Sequence, residues 1–486
     1  MFGFGPYLLD VRARTLSCRD TPLSLSVRQF DLQHALVAAA PSVVSKDRLI
    51  EIVWHGTAVG DSSLEKQIGY LRRLLDSTAD DRYIRTAPRL GYQFVETVSP
   101  IESARADVDV YAILAHHRAW FEGVAALETL EVDRVADART SLEQLVRHHP
   151  TDARFHVGLA TACALQFEST RTDDRPNIEA LHLAARSAHE ACRLAPDLAT
   201  AWTTLGFVLS RVERLPAAAR PEGSGDRIDS AAALQHAVTL EPEIWMHVFR
   251  QADASWGLDR LRAARRALAL YSGFPMAHWL AATVYVAHAD RARAECDIDA
   301  ALASMAASRP QPARFAPVAI HLLKGMLCLA RGANDDGIGA LRREIAIGSG
   351  RHLYAKECGS NAYYVIGAEH RHRGEDAAAR TALEAALALV PRHGMALAGL
   401  DILSGAPPPL WDEAHPHASV DAAMAQAARL HAAHDTVAAA RILGDALAAA
   451  PPGLAGWTIP IDPLLRVWEA PEAWAVVLQI LRDRAS

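Results

Sequence analysis

The sequence predicts a mostly α-helical protein with one small α+β unit at its N-terminus, and three observations predict it. Half of the 486 residues are hydrophobic while aromatics make up only 6%, and alanine, the best helix former and a poor strand former, is conspicuously frequent. Short β-prone runs are confined to the first hundred residues. Beyond them, alanine-rich helical patterns recur to the end, with prolines following them at 150, 196, 242, 391 and 451.

In the first hundred residues, YLLDV, RTLSC and LSLS between 7 and 26 read as small strands separated by polar turns. Ser26 can cap a helix from Val27, with Phe30, Leu32, Leu36 and Val37 as apolar positions, before Pro41 stops it. Ser45 opens a second helix, Lys46–Trp54, with Leu49, Ile50 and Val53 on one face. Asp61 or Ser62 opens a third, where Leu64, Ile68, Leu71 and Leu75 form a buried stripe. Its other face carries Ser63, Lys66, Gln67, Tyr70 and Arg73. Tyr83–Thr86 and Tyr92–Val95 then read as two strands joined by Ala87-Pro88-Arg89-Leu90-Gly91. A hairpin attached to three helices is a winged helix. The polar face of its third helix can offer donors to base edges in a major groove. Arg85 and Arg89 on the wing suit phosphate or minor-groove contact. The charge bias is modest, with 12 basic against 11 acidic residues in 1–97, so charge alone does not separate a DNA reader from a solvated amphipathic helix.

The ordered series LSLSVRQFDLQHALVAAAPSVVSKDRLIEIVW, DSSLEKQIGYLRRLL and YIRTAPRLGYQF resembles the DNA-binding domain of the OmpR/PhoB family, over about residues 3–97. It is most similar to the ToxR- and CadC-like branch, which carries this domain at the N-terminus. The resemblance implies DNA-facing positions at Glu65, Gln67, Tyr70 and Arg72 on the recognition helix and at Thr86 and Arg89 on the wing. It places Trp54 in the loop where the family contacts polymerase or the DNA backbone. Gly69 and Tyr70 stand where many members have basic residues, and the wing reads PRLGY instead of GRGY, so sequence specificity is not inherited. Neither a phospho-acceptor domain before the winged helix nor a membrane anchor after it is expected from the sequence.

Residues 116–486 read as a helical repeat domain, joined to the winged helix (1–98) through a linker and first helix at 99–115. The segment 363–391 fits a tetratricopeptide unit of roughly 34 residues, with Tyr363, Gly367, Ala379, Ala386 and Pro391 at its signature positions. Trp202, Leu205 and Gly206 begin another unit, which Pro242 closes after an insertion at about 216–229. Leu327–Leu341 and Ala423–Pro451 are weaker copies. The fold class is therefore an α-solenoid of tetratricopeptide-like helix pairs behind an N-terminal winged helix. Such an array presents a concave groove for partners. The combination is similar to HilA-type regulators.

Other chemistries find little support. Net charge is −7, which excludes a uniformly polybasic nucleic-acid coat. The six cysteines are scattered without a C-x-x-C pair, pointing to free thiols rather than a disulfide or zinc framework. Adjacent histidines such as His116-His117, His148-His149 and the flanks of His370-Arg371-His372 point in different directions on a helix. His431 and His434 share a face but have no complementary ligand set. G-x-S-x-G, P-loop and G-x-G-x-x-G motifs are absent, and no carboxylate pair demands acid–base work. The sequence therefore points to a cytoplasmic DNA-binding transcription regulator and activator, with no enzyme activity, cofactor or metal. Its partners would be promoter DNA, RNA polymerase, a protein or small ligand in the groove, and a second copy of the chain in a homodimer. The competing reading is an interaction adaptor in which the array is primary and the winged helix assists assembly.

Overall fold

The computed structural model describes residues 1–486 except 12, 20, 55–60, 76–82, 89, 101–109, 222–227, 308–314, 349–350 and 406–418, and excepting also the side chains of 61–62, 100, 110–115, 217 and 348. The N-terminal unit runs β1 (Phe2–Phe4), β2 (Tyr7–Asp10), β3 (Thr15–Cys18), β4 (Thr21–Leu23), α1 (Val27–Ala39), β5 (Val43–Ser45), α2 (Lys46–Trp54), α3 (Asp61–Leu74), β6 (Ile84–Ala87), β7 (Gly91–Phe94) and β8 (Ser99–Pro100). One antiparallel sheet has the order β4-β3-β2-β1-β8, so residue 100 returns beside residue 2. The wing is the second sheet, β5-β7-β6.

Local chemistry sets these elements. Ser26 and Gln29 make a reciprocal capping box at the start of α1: the Gln29 N–H donates to Ser26 Oγ, and the Ser26 N–H donates to Gln29 Oε1. Leu64, Ile68, Leu71 and Leu75 are all buried as the spacing requires, each stabilising by about 1.5–3 kcal/mol. They meet an aromatic cluster in which Phe4 lies edge-on to Phe94 at 5.0 Å and Tyr7 edge-on to Tyr83 at 5.5 Å. The wing strands sit one residue away from the expected 83–86 and 92–95; Tyr83 is buried in this core while its carbonyl still accepts from the Val95 N–H at 2.9 Å. The three-residue strands β1 and β5 escape periodicity altogether. Gly91 is needed where β7 meets β5: a Cβ there would lie 2.0 Å from the Val44 carbonyl oxygen.

The remaining chain is an array of helix pairs. The pairs are α4 (Val110–Glu128) with α5 (Val132–His148), α6 (Ala153–Thr170) with α7 (Ile178–Leu194), and α8 (Ala199–Val212) with α9 (Ser230–Leu240). They continue with α10 (Trp245–Ala254) and α11 (Gly257–Leu270), α12 (Pro275–Ala287) and α13 (Arg291–Ala307), α14 (Ile320–Ala330) and α15 (Asn334–Gly348), and α16 (Ala355–His372) and α17 (Asp376–Leu389). α18 (Gly394–Ser404), the pair α19 (Val420–Ala432) and α20 (Thr436–Ala449), and the terminal α21 (Ala475–Arg484) complete it. The recurring prolines have one mechanical role. Pro150, Pro196, Pro242 and Pro391 each take the second place of a four-residue turn closed by an N–H to the carbonyl three residues back, at Asp152, Leu198, Ile244 and His393. Proline presets φ for that place.

Small residues then let the paired helices close. A Cβ on Gly206 would lie 2.4 Å from Leu234, on Gly325 2.6 Å from Leu341, and on Gly367 2.7 Å from Leu383. The same glycine-against-leucine contact in three pairs is a structural repeat. Ala379 and Ala386 are fully buried beside it, Leu205 is 1% exposed, and Trp202 and Tyr363 are half-buried at the helix faces. The array also turns back on itself. Val132 donates to the Arg351 carbonyl, Leu353 donates to that of Leu130, and Leu353 is buried in the core of α4–α9. At the far end, His288 Nε2 donates to the Ala485 carbonyl at 3.1 Å. All six cysteines are free thiols.

Gly206→Ala forces a methyl into this contact and should destabilise the array by roughly 1–3 kcal/mol through overpacking. Gly339 on α15 has open space around its Cα, so Gly339→Ala should stabilise by about 0.5–1 kcal/mol. Thermal melting of the two variants should shift in opposite directions.

Candidate nucleic-acid interface

The polar face of α3 is held by contacts on both of its flanks. Glu65 and Lys66 are exposed, as is Arg73; Ser63, Gln67, Tyr70 and Arg72 are half-buried. Lys46 of α2 pairs with Glu65 at 3.0 Å. Gln29, already capping α1, donates its Nε2–H to Gln67 Oε1 at 3.2 Å. The Tyr70 hydroxyl donates to the Ser24 carbonyl at 3.4 Å. These ties fix the side chains before any ligand arrives.

Arg72 has a distinct position. Its Nε and Nη2 donate to the Ile84 carbonyl at 3.0 and 2.9 Å, and Nη2 also donates to Thr86 Oγ1 at 2.8 Å. The guanidinium therefore joins α3 to wing strand β6 and sets the angle between them. Arg85 and Thr86 are exposed on that strand. Trp54 ends α2 and is buried, so it does not stand in the loop where the resemblance places it; Arg89 and residues 55–60 lie outside the described residues.

Sequence reasoning missed the contacts that the repeat array makes with this unit. The turn between α9 and α10 brings Glu241 to Arg28 of α1 at 2.8 Å and Glu243 to Lys66 of α3 at 2.8 Å. Between them Ile244 is 4% exposed and packs into the winged-helix core, with Met246 beside it. Glu241 also accepts from His247 Nε2 at 2.9 Å, which fixes the turn from below. Burial alone would raise the Glu241 pKa, but the His247 hydrogen bond and the Arg28 charge reverse that and hold it below the usual range. Two carboxylates two residues apart, aimed at two cations, were visible in the sequence only as the charge of a Pro-containing turn.

Residues 20–94 match the family model described as transcriptional regulatory protein, C terminal. The N-terminal domain is of the OmpR/PhoB type. Similar proteins include the response regulator MprA of Mycolicibacterium vanbaalenii, 33% identical over 95 residues, which is 19% of this chain and 41% of that protein. The cholera toxin transcriptional activator of Vibrio cholerae is 40% identical over 75 residues, 15% of this chain and 26% of that one. The transcriptional regulator HilA of Salmonella typhimurium is 31% identical over 102 residues, 20% of this chain and 18% of that one. The chain thus spans less than half the length of these relatives. Among solved structures, the APC/C hetero-tetramer Cut9–Hcn1 aligns with 61% of this chain and 49% of that one, at 17% identity and a TM-score of 0.44.

Other sites are sparse. Among the described residues no group of three or more His, Cys, Asp or Glu could hold a metal ion, and no helix is long and apolar enough to cross a membrane. His116 and His149 come together across two helices, ring nitrogens 3.1 Å apart, a pairing that neighbour spacing along the chain does not reveal.

Arg72→Ala should free β6 from α3 and leave the buried Ile84 carbonyl without a donor, costing about 1–3 kcal/mol. Hydrogen exchange should show lost protection in 84–94 while α1 stays protected.

Proposed function

We propose that the chain is a transcription regulator that binds promoter DNA through α3 and the wing, with the repeat array as the part that receives a partner or ligand. The observation that carries this reading is an OmpR/PhoB-type domain whose third helix buries its apolar stripe and turns Glu65, Lys66, Gln67, Tyr70 and Arg73 to one polar face. Ser63 sits at the start of that face, Arg85 and Thr86 of the wing extend it, and Arg89 is assigned to the same DNA contact on the resemblance alone. Arg72 supports the reading by positioning the wing. Activation through RNA polymerase, a dimer on paired half-sites and a cytoplasmic place of action follow from the same reading. So does a division of the chain into a winged-helix part up to about residue 98 and a repeat part from about 116.

In this arrangement Lys66 is taken up by Glu243 of the array. A cation held by a carboxylate is not available to a phosphate, so docking of the array lowers the affinity of α3 for DNA. The pair is exposed and worth about 0.2–1 kcal/mol, which corresponds to roughly 1.4- to 5-fold in affinity.

Tyr70→Ala should change base preference at one position, by about 1–3 kcal/mol where the ring meets a base. Arg73→Ala should weaken all duplexes alike and lower the salt slope by about one unit for a single phosphate contact. Glu243→Gln should raise DNA affinity within the range above and make it more salt-dependent. Mobility shifts and footprints on the promoters neighbouring the gene check all three. Identical footprints and affinities in all the variants would overturn the assignment of α3.

A further inference from the structure

The turn between α9 and α10 is fixed by the array itself. Pro242 takes its second place, and the Ile244 N–H closes it on the Glu241 carbonyl at 3.3 Å. Arg266 Nη2 of α11 donates to the Pro242 carbonyl at 3.0 Å. His247, 1% exposed, donates from Nε2 to the Glu241 carboxylate at 2.9 Å and accepts at Nδ1 from the Thr203 hydroxyl of α8 at 2.6 Å. The position of the Glu241 carboxylate is therefore set from inside the array, and Glu243 follows on the same turn.

This turn meets the winged helix at the edge of the face assigned to DNA. Arg28, which pairs with Glu241 at 2.8 Å, stands next to Gln29, whose amide holds Gln67 on the polar face of α3. Lys66, which pairs with Glu243 at 2.8 Å, belongs to that face. The Arg28 guanidinium also lies 5.9 Å over the Trp54 ring at the end of α2. Its side chain is only 18% exposed with the turn in place, against 68% for Lys66.

Ile244 already supplies the apolar burial that holds the two parts together. The two carboxylates do something else. They neutralise two cations beside a recognition helix, where backbone contacts fix the register of a bound duplex. A phosphate backbone arriving there meets like charge and finds both cations taken. Resting on the reading of α3 given above, we propose that the Glu241–Ile244 turn is an autoinhibitory element whose carboxylates occupy the places of two backbone phosphates. Arg28 is then a further DNA-contacting residue, and a duplex engages it only when the turn leaves. Departure of the turn uncovers Ile244, so the array governs DNA affinity by holding or releasing this one contact.

Anisotropy titration of a promoter duplex with the full chain, and hydrogen exchange of the same complex, test this. Exchange over 241–247 should speed up when the duplex binds the unsubstituted protein. Glu241→Gln keeps an acceptor for His247 while removing the charge on Arg28. Combined with Glu243→Gln, it should raise duplex affinity about tenfold. The same loss of two charges at Glu384 and Glu472, exposed on α17 and ahead of α21, should change affinity far less. In the Glu241→Gln/Glu243→Gln background, Arg28→Gln should weaken binding and lower the salt slope by about one unit. An Arg28 that serves docking alone would leave that background unchanged. Binding that depends on Tyr70 and Arg73 while 241–247 stay protected would overturn this inference and leave the reading of α3 intact. So would an equal gain from the Glu384 and Glu472 substitutions. Affinity indifferent to Tyr70→Ala and Arg73→Ala would overturn both.

Discussion

The architecture depends on how closely two helices in a pair can approach. Gly206, Gly325 and Gly367 admit Leu234, Leu341 and Leu383 to distances that a single methyl would forbid, and buried alanines continue the same contact along each pair. Close pairs stack with a fixed rotation, and repeated rotation curves the array. Curvature is what carries residues 351–357, from a late repeat, back against α4 and α6. Without it Tyr354 and Glu357 would not reach Glu168 and Arg171.

The same stacking places the α9–α10 turn at the edge where the winged helix sits. Ile244 supplies apolar burial there, and Glu241 and Glu243 supply two charges matched to Arg28 and Lys66. The burial of one isoleucine outweighs the exposed Lys66–Glu243 pair energetically, so the hydrophobic contact holds the two parts together while the charges fix their orientation. α10 is a ten-residue helix with this docking contact at its start.

Much of the winged helix was legible because its signals are local. The stripe Leu64–Leu75, the Ser26 cap and the Lys46–Trp54 helix follow from spacing and capping chemistry, and the structure places them as read. The prolines at 150, 196, 242 and 391 marked the repeat boundaries because one turn type uses proline in one place. Three-residue strands such as β1 and β5 were not legible, since they exist only through their pairing with β2 and β7. The role of Arg72 was hidden for a similar reason: its helix position allows DNA contact, but its partners are a carbonyl and a hydroxyl twelve and fourteen residues away. Nor could spacing show that Arg211 and Tyr354 meet at Glu168, because long-range closure of the array brings them together.

The proposed DNA surface is formed by α3 and the wing, and not by the array. Hydrogen–deuterium exchange of the full chain with and without a promoter duplex tests it most directly. New protection is expected in 61–75 and 84–94, with α12–α21 unchanged. Protection confined to the array, with α3 and the wing exchanging as in the free protein, would contradict it.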